Sequence, residues 1–371
     1  MDVCYQPPGD LRGVVADRPF DMWRYRELLP LPAGAILPPI RVGGSPVSAA
    51  PRLAEALGVR RVVVKDDGRN PSASTKDRPS AVAVVLATAA GKERVVCAST
   101  GNAASSLACL AASLGLGATI FVPARAPAPK VAQLRVFGAR VLRVAGDYDT
   151  TWELCQRVAT RRPWFNRNCA VNPYLVEGKK TIALELADQL RAAVPAWVAV
   201  SVGDGCTYAG VVKGLEEAHA AGFIPFVPRV LGVQAEGARP LVDALDGDGE
   251  LHVRPAETVA DSIAVGHPRN FRKALDAARR NGGRFVAVTD AQILAGMRDA
   301  ARLAGVFAEP AAAAAVAGVG VAVARGIVRA DEDVAVLVTG NGLKDTATAL
   351  TAVDGPEDVA ADEGEIERVL G

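Results

Sequence analysis

From about residue 60 onward, short β-branched apolar runs alternate with longer segments that are rich in alanine or carry apolar residues at helical spacing. The apolar runs predict strands at 61–65, 94–100, 118–124, 139–146, 196–205, 229–235, 284–290 and 333–340. The longer segments predict helices at 80–91, 102–115, 129–138, 149–162, 207–222, 291–305 and 310–324. Because the strands lack polar alternation and are separated by helices, we expect an α/β fold with parallel-rich sheets covered on both faces.

Two stretches depart from this alternation. Residues 236–282 show no clear periodicity, so they are expected to be irregular. The acidic tail DGPEDVAADEGEIERVL, residues 354–370, is expected to lie at the periphery of the molecule.

Composition narrows the class of protein. The chain has 371 residues, of which 50% are hydrophobic, and this is enough for two or three lobes. Its net charge is +1 and only 5% of its residues are aromatic, which argues against nucleic-acid and membrane partners. The six cysteines form no CxxC pair and there are only three histidines, so we expect no metal site. Dispersed thiols, a polar N-terminal stretch and the shortness of the longest apolar run predict a cytoplasmic protein.

Four predicted strand ends carry small, hydroxylic or glycine-rich residues. They are the loop of Lys76 in NPSASTKDRPS, STGN at 99–102, GDGCTYAG at 203–210 and TGNGLKD at 339–345. Ligands of open parallel sheets bind beyond the carboxyl ends of the strands. We therefore expect one largely uncharged pocket that these four loops build together.

The glycine-rich loop joins a predicted strand to a predicted helix and consists of Gly203, Asp204, Gly205, Cys206 and Thr207. Such a turn exposes backbone N–H groups, which together with the helix dipole bind phosphate. It matches neither the P-loop nor the spaced dinucleotide fingerprint, and a purely structural turn explains this loop equally well by itself.

Lys76 lies where a predicted strand passes into a predicted helix. A solvated loop residue is one interpretation. The other is a reactive amine, because the positive end of a helix dipole lowers the pKa of a lysine and frees its amine for Schiff-base chemistry. A phosphate loop, an amine and an uncharged pocket together indicate pyridoxal phosphate (PLP), with its phosphate in the glycine loop and its aldehyde on Lys76.

The two remaining loops fit the same interpretation. Ser99, Thr100 and Gly101 offer hydroxyl and N–H groups to an amino acid carboxylate, although an ordinary helix cap also explains this stretch. Asn102 would hydrogen-bond the ring oxygen of the cofactor, and the Thr339 hydroxyl would face its ring nitrogen. A hydroxyl at that place leaves the nitrogen mostly unprotonated, which suits β- or γ-elimination or replacement better than transamination.

The chain resembles threonine synthase and its relatives among the fold-type II, tryptophan synthase β-like PLP enzymes. The segments that carry the resemblance are, in chain order, KDDGRNPSASTKDR, ASTGNAASSLA, NPYLVEGKKT, GDGCTYAG, EPAAAAAVAG and TGNGLKD. The resemblance implies two α/β lobes with PLP in the cleft between them: a discontinuous large domain of residues 1–82 and 172–371, and a small domain of residues 83–171. It also implies an amino acid substrate and a homodimer.

Roles follow from the resemblance by position. Lys76 matches the lysine that binds PLP, Asn102 the partner of the ring oxygen, Gly203 to Thr207 the phosphate loop, and Thr339 the partner of the ring nitrogen. The substrate side is implied to include Ser99, Thr100, Gly101, Ala103, Leu175 and Lys179.

The substrate side also departs from the family. Threonine synthases usually read N-S-V-N-P-x-R-x-E-G-Q-K-T, whereas this chain reads CAVNPYLVEGKKT at 169–181, so that Cys169, Ala170 and Leu175 replace residues that help to bind the substrate phosphate. The family's STGNTS is STGNAA here, and Ala103 lacks a hydroxyl. Because each lost charge-assisted hydrogen bond costs about 1.5–3 kcal/mol, we expect O-phosphohomoserine to bind weakly.

The sequence therefore predicts a threonine synthase-like lyase with altered leaving-group specificity, which eliminates or replaces a group at Cβ or Cγ. A true threonine synthase is the alternative, with Arg167, Lys179 or Arg269 rebuilding the phosphate site, and a serine/threonine dehydratase is a further one. His267 is either an acid or base of the site or a structural residue. A non-catalytic ligand-binding module would leave Lys76 without a role.

Overall fold

The computed structural model describes residues 3–6, 11–169 and 171–371. Its strands are β1 Val47–Ala49, β2 Arg61–Asp66, β3 Arg94–Ala98, β4 Gly117–Pro123, β5 Arg140–Val144, β6 Phe165–Asn166, β7 Trp197–Ser201, β8 Arg229–Ala235, β9 Arg284–Val288 and β10 Asp333–Val338. Its α-helices are α1 Leu11–Val15, α2 Pro51–Leu57, α3 Asp77–Ala89, α4 Asn102–Ser113, α5 Ala128–Val136, α6 Tyr148–Thr160, α7 Tyr174–Leu190, α8 Cys206–Ala220, α9 Pro240–Asp246, α10 Phe271–Asn281, α11 Asp290–Ala304, α12 Pro310–Ala324, α13 Thr346–Thr351 and α14 Glu363–Leu370. Short 3₁₀ turns are found at Met22–Leu28, Asp67–Arg69, Arg191–Ala193, Asp261–Ile263 and Gly342–Asp345.

The strands form two sheets in the described part of the chain. A six-stranded sheet has the order β1-β2-β10-β7-β8-β9, in which only the edge pair β1–β2 is antiparallel. A four-stranded sheet has the order β5-β4-β3-β6 and is parallel throughout. The predicted α/β fold with parallel-rich sheets is confirmed. The division of the chain at residues 82 and 172 stays a prediction, because sheet membership does not fix where a lobe begins.

Successive side chains of the central strands alternate between two hydrophobic cores, one on each face of the larger sheet. On β10, Val334, Val336 and Val338 pack into one core with α11 and α12, whereas Ala335 and Leu337 pack into another with α7, α8 and α10. Successive side chains of a strand point to opposite faces, so a strand without polar positions needs helices on both sides. The Ala-rich α12 covers one face, as the apolar run 310–324 predicts.

Every predicted strand and helix is present, with ends shifted by a few residues. The prediction for 236–282 is wrong in part, because α9 and α10 lie there. The sequence carries a signal for α10, because Ala274, Leu275, Ala277 and Ala278 are buried and the other positions are mostly charged, which is the pattern of an amphipathic helix. The 17-residue helix α7 was not predicted either, since charged residues that are buried in ion pairs interrupt its apolar positions.

The C-terminal tail is exposed, as expected, and α14 has no buried residue. Among the residues that the structure describes, no helix combines the length and the apolar content needed to cross a bilayer.

Candidate active site

The four loops that follow β2, β3, β7 and β10 meet around two cavities. The larger one, here called the outer cavity, has a volume of about 830 Å³ and is lined by Lys76, 97–103, 167–169 and a wall from 253–269, among other residues. The smaller one, here called the inner cavity, has a volume of about 70 Å³ and is lined by Lys76, Lys179, Ser201 to Thr207, Glu309 and Thr339, among other residues. Lys76 and Cys169 line both cavities.

Lys76 directly precedes α3, and its loop is tied to the end of β10. The N–H of Thr75 donates to the carbonyl of Thr339 at 2.8 Å, and the N–H of Asn341 donates to the carbonyl of Ala73 at 3.1 Å. Ala73 has a φ of 62°, a backbone conformation that non-glycine residues rarely adopt. These bonds hold the lysine at the carboxyl edge of the sheet.

The amine of Lys76 is available for reaction. Burial lowers its pKa, and the neighbouring ammonium of Lys179 lowers the pKa further. Among the described residues Nζ of Lys76 forms no hydrogen bond, and the hydrogen bond to the Ser74 hydroxyl comes from its backbone N–H. A desolvated amine at the bottom of a cleft is the arrangement that carbonyl chemistry requires.

The loop from Gly203 to Thr207 connects β7 to α8 as predicted. Gly205 has a φ of +85°, and a Cβ placed on it would lie 2.8 Å from the Cβ of Ala274, so only glycine fits there. The first N–H groups of α8 have no hydrogen-bond partner within the helix, and the residues that carry them line the inner cavity. The loop can therefore hold a phosphate group.

Asn102 begins α4 and contacts a carboxylate that the sequence analysis assigned no role. Its Nδ2 donates to both oxygens of Glu309 at 2.9 Å. Burial raises the pKa of Glu309, and Gly340 lies so close that a Cβ on it would be 2.3 Å from Glu309 Oε1. The motif EPAAAAAVAG was the signal for this residue, but a motif alone does not show which side chain reaches the cleft.

The other predicted residues divide between the two cavities. Thr339 lies in the inner cavity, 3.4 Å from the Ser201 hydroxyl between the two Oγ atoms. The residues Ser99, Thr100, Gly101, Asn102, Ala103 and His267 line the outer cavity. Leu175 is buried with 1% of its surface exposed and lines neither cavity. Ala170 lies outside the described residues.

The thiol of Cys169, which lines both cavities, lies between two cations. Cys169 Sγ lies 3.5 Å from Lys179 Nζ and 3.7 Å from Arg167 Nη1. A hydrogen bond from Cys206, with the charges of Lys179 and Arg167, holds the pKa of Cys169 well below its usual range. The same hydrogen bond and burial raise the pKa of Cys206. These neighbours therefore favour the thiolate form of Cys169.

Asp204 lies in the glycine loop, and the charge of the neighbouring Lys179 acts on it. Burial and the negative Cys169 raise the pKa of Asp204, whereas Lys179 lowers it. Burial opposes the charge on Lys179, but Cys169 and Cys206 raise its pKa above the usual value. The ammonium of Lys179 thus offsets the acidic group of a loop that would otherwise repel an anion.

These residues fit PLP. An uncommitted amine, a glycine loop at a helix N-terminus and a hydroxyl at the end of β10 line one inner cavity. The described residues present there an amine for the aldehyde, N–H donors for the phosphate and a hydroxyl for the ring nitrogen.

Comparison with known proteins agrees with this fit. A family model described as pyridoxal-phosphate dependent enzyme matches residues 40–340. Threonine synthase of Methanosarcina acetivorans is 38% identical over 344 residues, which cover 92% of this chain and 84% of the relative. Threonine synthase of Mycobacterium leprae is 39% identical over 350 residues, which cover 94% of each chain.

Solved structures share the fold. Threonine deaminase isoform 2 from Solanum lycopersicum has a TM-score of 0.71 at 22% identity, over 83% of this chain and 87% of that chain. Diaminopropionate ammonia lyase from Escherichia coli has a TM-score of 0.72 at 19% identity, over 87% of this chain and 88% of that chain. At such identities the likeness shows the fold alone.

The chain belongs to the pyridoxal-phosphate dependent enzymes, with the fold-type II architecture. Within them it is a lyase of the threonine synthase type. Its cofactor is PLP and its substrate is an amino acid, which confirms the predicted family, fold class, enzyme class and cofactor. The roles of the individual site residues stay predictions.

Replacement of Lys179 by glutamine is expected to weaken PLP binding by about tenfold or more, because one cation beside Asp204 and the phosphate loop is lost. Titration of the apoenzyme with PLP, followed by visible absorbance, measures the change. The matched control is Lys130→Gln, because Lys130 lines neither cavity and pairs with Asp261, an exposed residue at the outer cavity and away from the glycine loop. Equal affinity in wild type and Lys179→Gln would contradict the role given to Lys179.

Proposed function

We propose that this enzyme eliminates or replaces a leaving group at Cβ or Cγ of an activated amino acid, and that the leaving group is not the phosphate of O-phospho-L-homoserine. The observation that carries the reaction type is the uncommitted Lys76 amine in the inner cavity, beside the glycine loop and Thr339. When it is bound, PLP supplies an electron sink that stabilises negative charge at the substrate Cα.

The chain's own residues then bind the substrate and move its protons. Lys76 Nζ takes the proton from Cα and returns a proton at Cα or Cβ, which is general acid–base catalysis by a group of lowered pKa. The N–H groups at the start of α4, with Ser99 and Thr100, hold the α-carboxylate and thereby orient Cα. The hydroxyl of Thr339 would face the ring nitrogen of the cofactor, and because it is uncharged it would leave that nitrogen mostly unprotonated.

The altered specificity is supported by what the substrate side offers. Ala103 presents a methyl group to the outer cavity, and the sulfur of Cys169 already contacts the two cations Arg167 and Lys179. Leu175 is buried away from both cavities, so a substrate phosphate gains no donor from that position. A phosphate dianion in this place would lack several of its hydrogen bonds.

A threonine synthase that acts on O-phospho-L-homoserine is the second candidate. It is favoured by the names of the relatives and by two cations that flank Cys169, namely Arg167 at the outer cavity and Lys179 at the inner cavity. In that case these cations replace the missing arginine.

The test compares substrates on the purified holoenzyme. We expect kcat/KM for O-phospho-L-homoserine, followed by release of phosphate and threonine, to be at least about 100-fold below that of the best O-acetyl, O-succinyl or unactivated amino acid, since at least two charge-assisted contacts are missing. Its matched control is the double variant Ala103→Thr with Cys169→Asn, which is expected to raise turnover of the phosphorylated substrate. Robust turnover of O-phospho-L-homoserine by the wild type would instead establish the second candidate.

The assembly and location are inferred from the family resemblance. We infer a cytoplasmic homodimer, in agreement with the dispersed free thiols of the described residues. Sedimentation equilibrium of the holoenzyme tests the dimer, and a monomeric mass would exclude it.

A further inference from the structure

Three arginines are almost completely buried in the described part of the chain, and one of them, Arg167, has no ion-pair partner among the described residues. Arg24 pairs with Asp188 at 2.8 Å, and Arg78 pairs with Asp67 and Glu185 at 2.7 Å. Arg167 is 1% exposed and forms no ion pair with a described carboxylate. It is a buried cation whose protein environment supplies no carboxylate.

The hydrogen bonds of Arg167 are also incomplete. Nε donates to the Ser80 hydroxyl at 3.1 Å, and Nη1 lies 3.7 Å from Cys169 Sγ. Nη2 is buried and has no partner among the described residues. A buried charged donor without a partner is strongly unfavourable, so Nη2 requires an acceptor that the described protein residues do not supply.

Arg167 lies on the side of the cleft where the substrate is proposed to bind. It follows β6, and its N–H donates to the carbonyl of Val96 on β3 at 2.9 Å, so it lies beside the strand that ends at the STGN loop. It lines the outer cavity with Ser99 to Ala103 but not the inner cavity. Lys179 shows the reverse, because it lines the inner cavity with the phosphate loop. Arg167 is thus the cation of the substrate side and Lys179 that of the cofactor side.

We propose that Arg167 binds a second carboxylate of the substrate, carried on the amino acid side chain. A carboxylate matches the flat edge formed by Nη1 and Nη2, and it would displace the long contact to the Cys169 sulfur. A phosphate has a third oxygen to satisfy, and Ala103 on this side of the cavity presents a methyl group, which donates no hydrogen bond to it. The inference rests on the proposed function, since it names the substrate class of the same site.

The experiment measures binding of matched amino acids to the holoenzyme by calorimetry. L-aspartate and L-asparagine form one pair, and L-glutamate and L-glutamine form the second, so that each pair differs only in the side-chain charge. We expect the acid of at least one pair to bind about tenfold or more tightly than its amide. In Arg167→Met the preference is expected to vanish, whereas the affinity for the amide stays within about twofold of wild type.

Arg269→Met is the matched control. Arg269 lines the same cavity, but it is paired with Asp149 at 3.1 Å and stacks on Trp152, so its loss is expected to leave the acid-to-amide ratio unchanged. Because Arg167→Met leaves a buried gap beside Ser80, Arg167→Lys serves as a second variant. It keeps the charge without the flat edge and is expected to reduce the ratio only in part.

Each outcome decides the inference. Equal binding of acid and amide by the wild type, or a preference that survives Arg167→Met, overturns it, and the wild-type result stands even if both variants fail to fold. Tighter binding of O-phospho-L-serine than of L-aspartate would replace the carboxylate by a phosphate and also overturn it. A clear acid preference in an enzyme without turnover would leave the subsite in place and reject the proposed function, whereas turnover of neutral substrates without any preference would do the opposite.

Discussion

Replacement of Lys76 by alanine is expected to lower turnover by roughly 10³-fold or more, because the variant lacks both the covalent attachment of PLP and the group that moves protons at Cα. The wild-type protein is expected to be yellow. Reduction with borohydride, followed by proteolysis and mass spectrometry, should find the cofactor on the peptide that contains Lys76. The same treatment of Lys76→Ala should find no modified peptide.

Two comparisons make this test specific. Lys179→Gln lies in the same cavity and should keep the attachment to Lys76 even though it holds PLP more weakly. Lys92→Ala, three residues after the end of α3 and in neither cavity, should behave as the wild type. A colourless wild type, or borohydride labelling of a lysine other than Lys76, would show that Lys76 is not the residue that binds PLP covalently.

The regular part of the molecule follows from local pattern. Residues 334–338 of β10 are all apolar, as expected for a strand that is buried on both faces. Because the strands are parallel, the loops that follow them lie at the same edge of a sheet. The pattern of strands and loops therefore predicts that Lys76, the STGN loop, the glycine loop and Thr339 meet in one cleft, and the structure places them there.

The remaining part of the site depends on packing between distant elements. Helix α7 lies between α3 and α8, and only that placement decides that Lys179 reaches the inner cavity while Leu175, one turn earlier, does not. The contact between Asn102 and Glu309 joins residues 207 positions apart. The convergence of Arg167 and Lys179 on Cys169 likewise joins two chain segments, so no spacing in the sequence reveals it.

The lysine loop is anchored by an ion network that is fully buried. Arg78, two residues after Lys76, donates to Asp67 and Glu185 at 2.7 Å, and Lys65 donates to Glu185 at 2.7 Å. Arg78, Asp67 and Glu185 side chains are all 0% exposed. The network joins the strand before the lysine, the helix after it and α7, so it fixes the direction in which α3 leaves the cleft.

Arg78→Met is expected to lower the free energy of unfolding by about 3–5 kcal/mol, because it leaves two buried carboxylates with Lys65 as their remaining cation. Urea unfolding of the holoenzyme, followed by far-UV circular dichroism, measures the loss. The control Arg69→Met removes the neighbouring pair with Asp66, in which the arginine side chain is 69% exposed, and is expected to cost less than about 1 kcal/mol.

The network also predicts how stability depends on acid. Although burial opposes it, Arg78 lowers the pKa of Asp67 to about 2, and the pKa of Glu185 is lowered in the same way. Because both folded-state values lie below those of the unfolded chain, their contribution is complete above the unfolded pKa, near 4, and is lost as the pH falls toward 2. Wild type should therefore lose stability steeply between about pH 4 and pH 2, whereas Arg78→Met, which lacks the cation that lowers both values, should lose less over the same interval. Parallel pH profiles for the two proteins would show that the carboxylates owe their ionisation to other groups, and the anchoring role of Arg78 would then rest on packing alone.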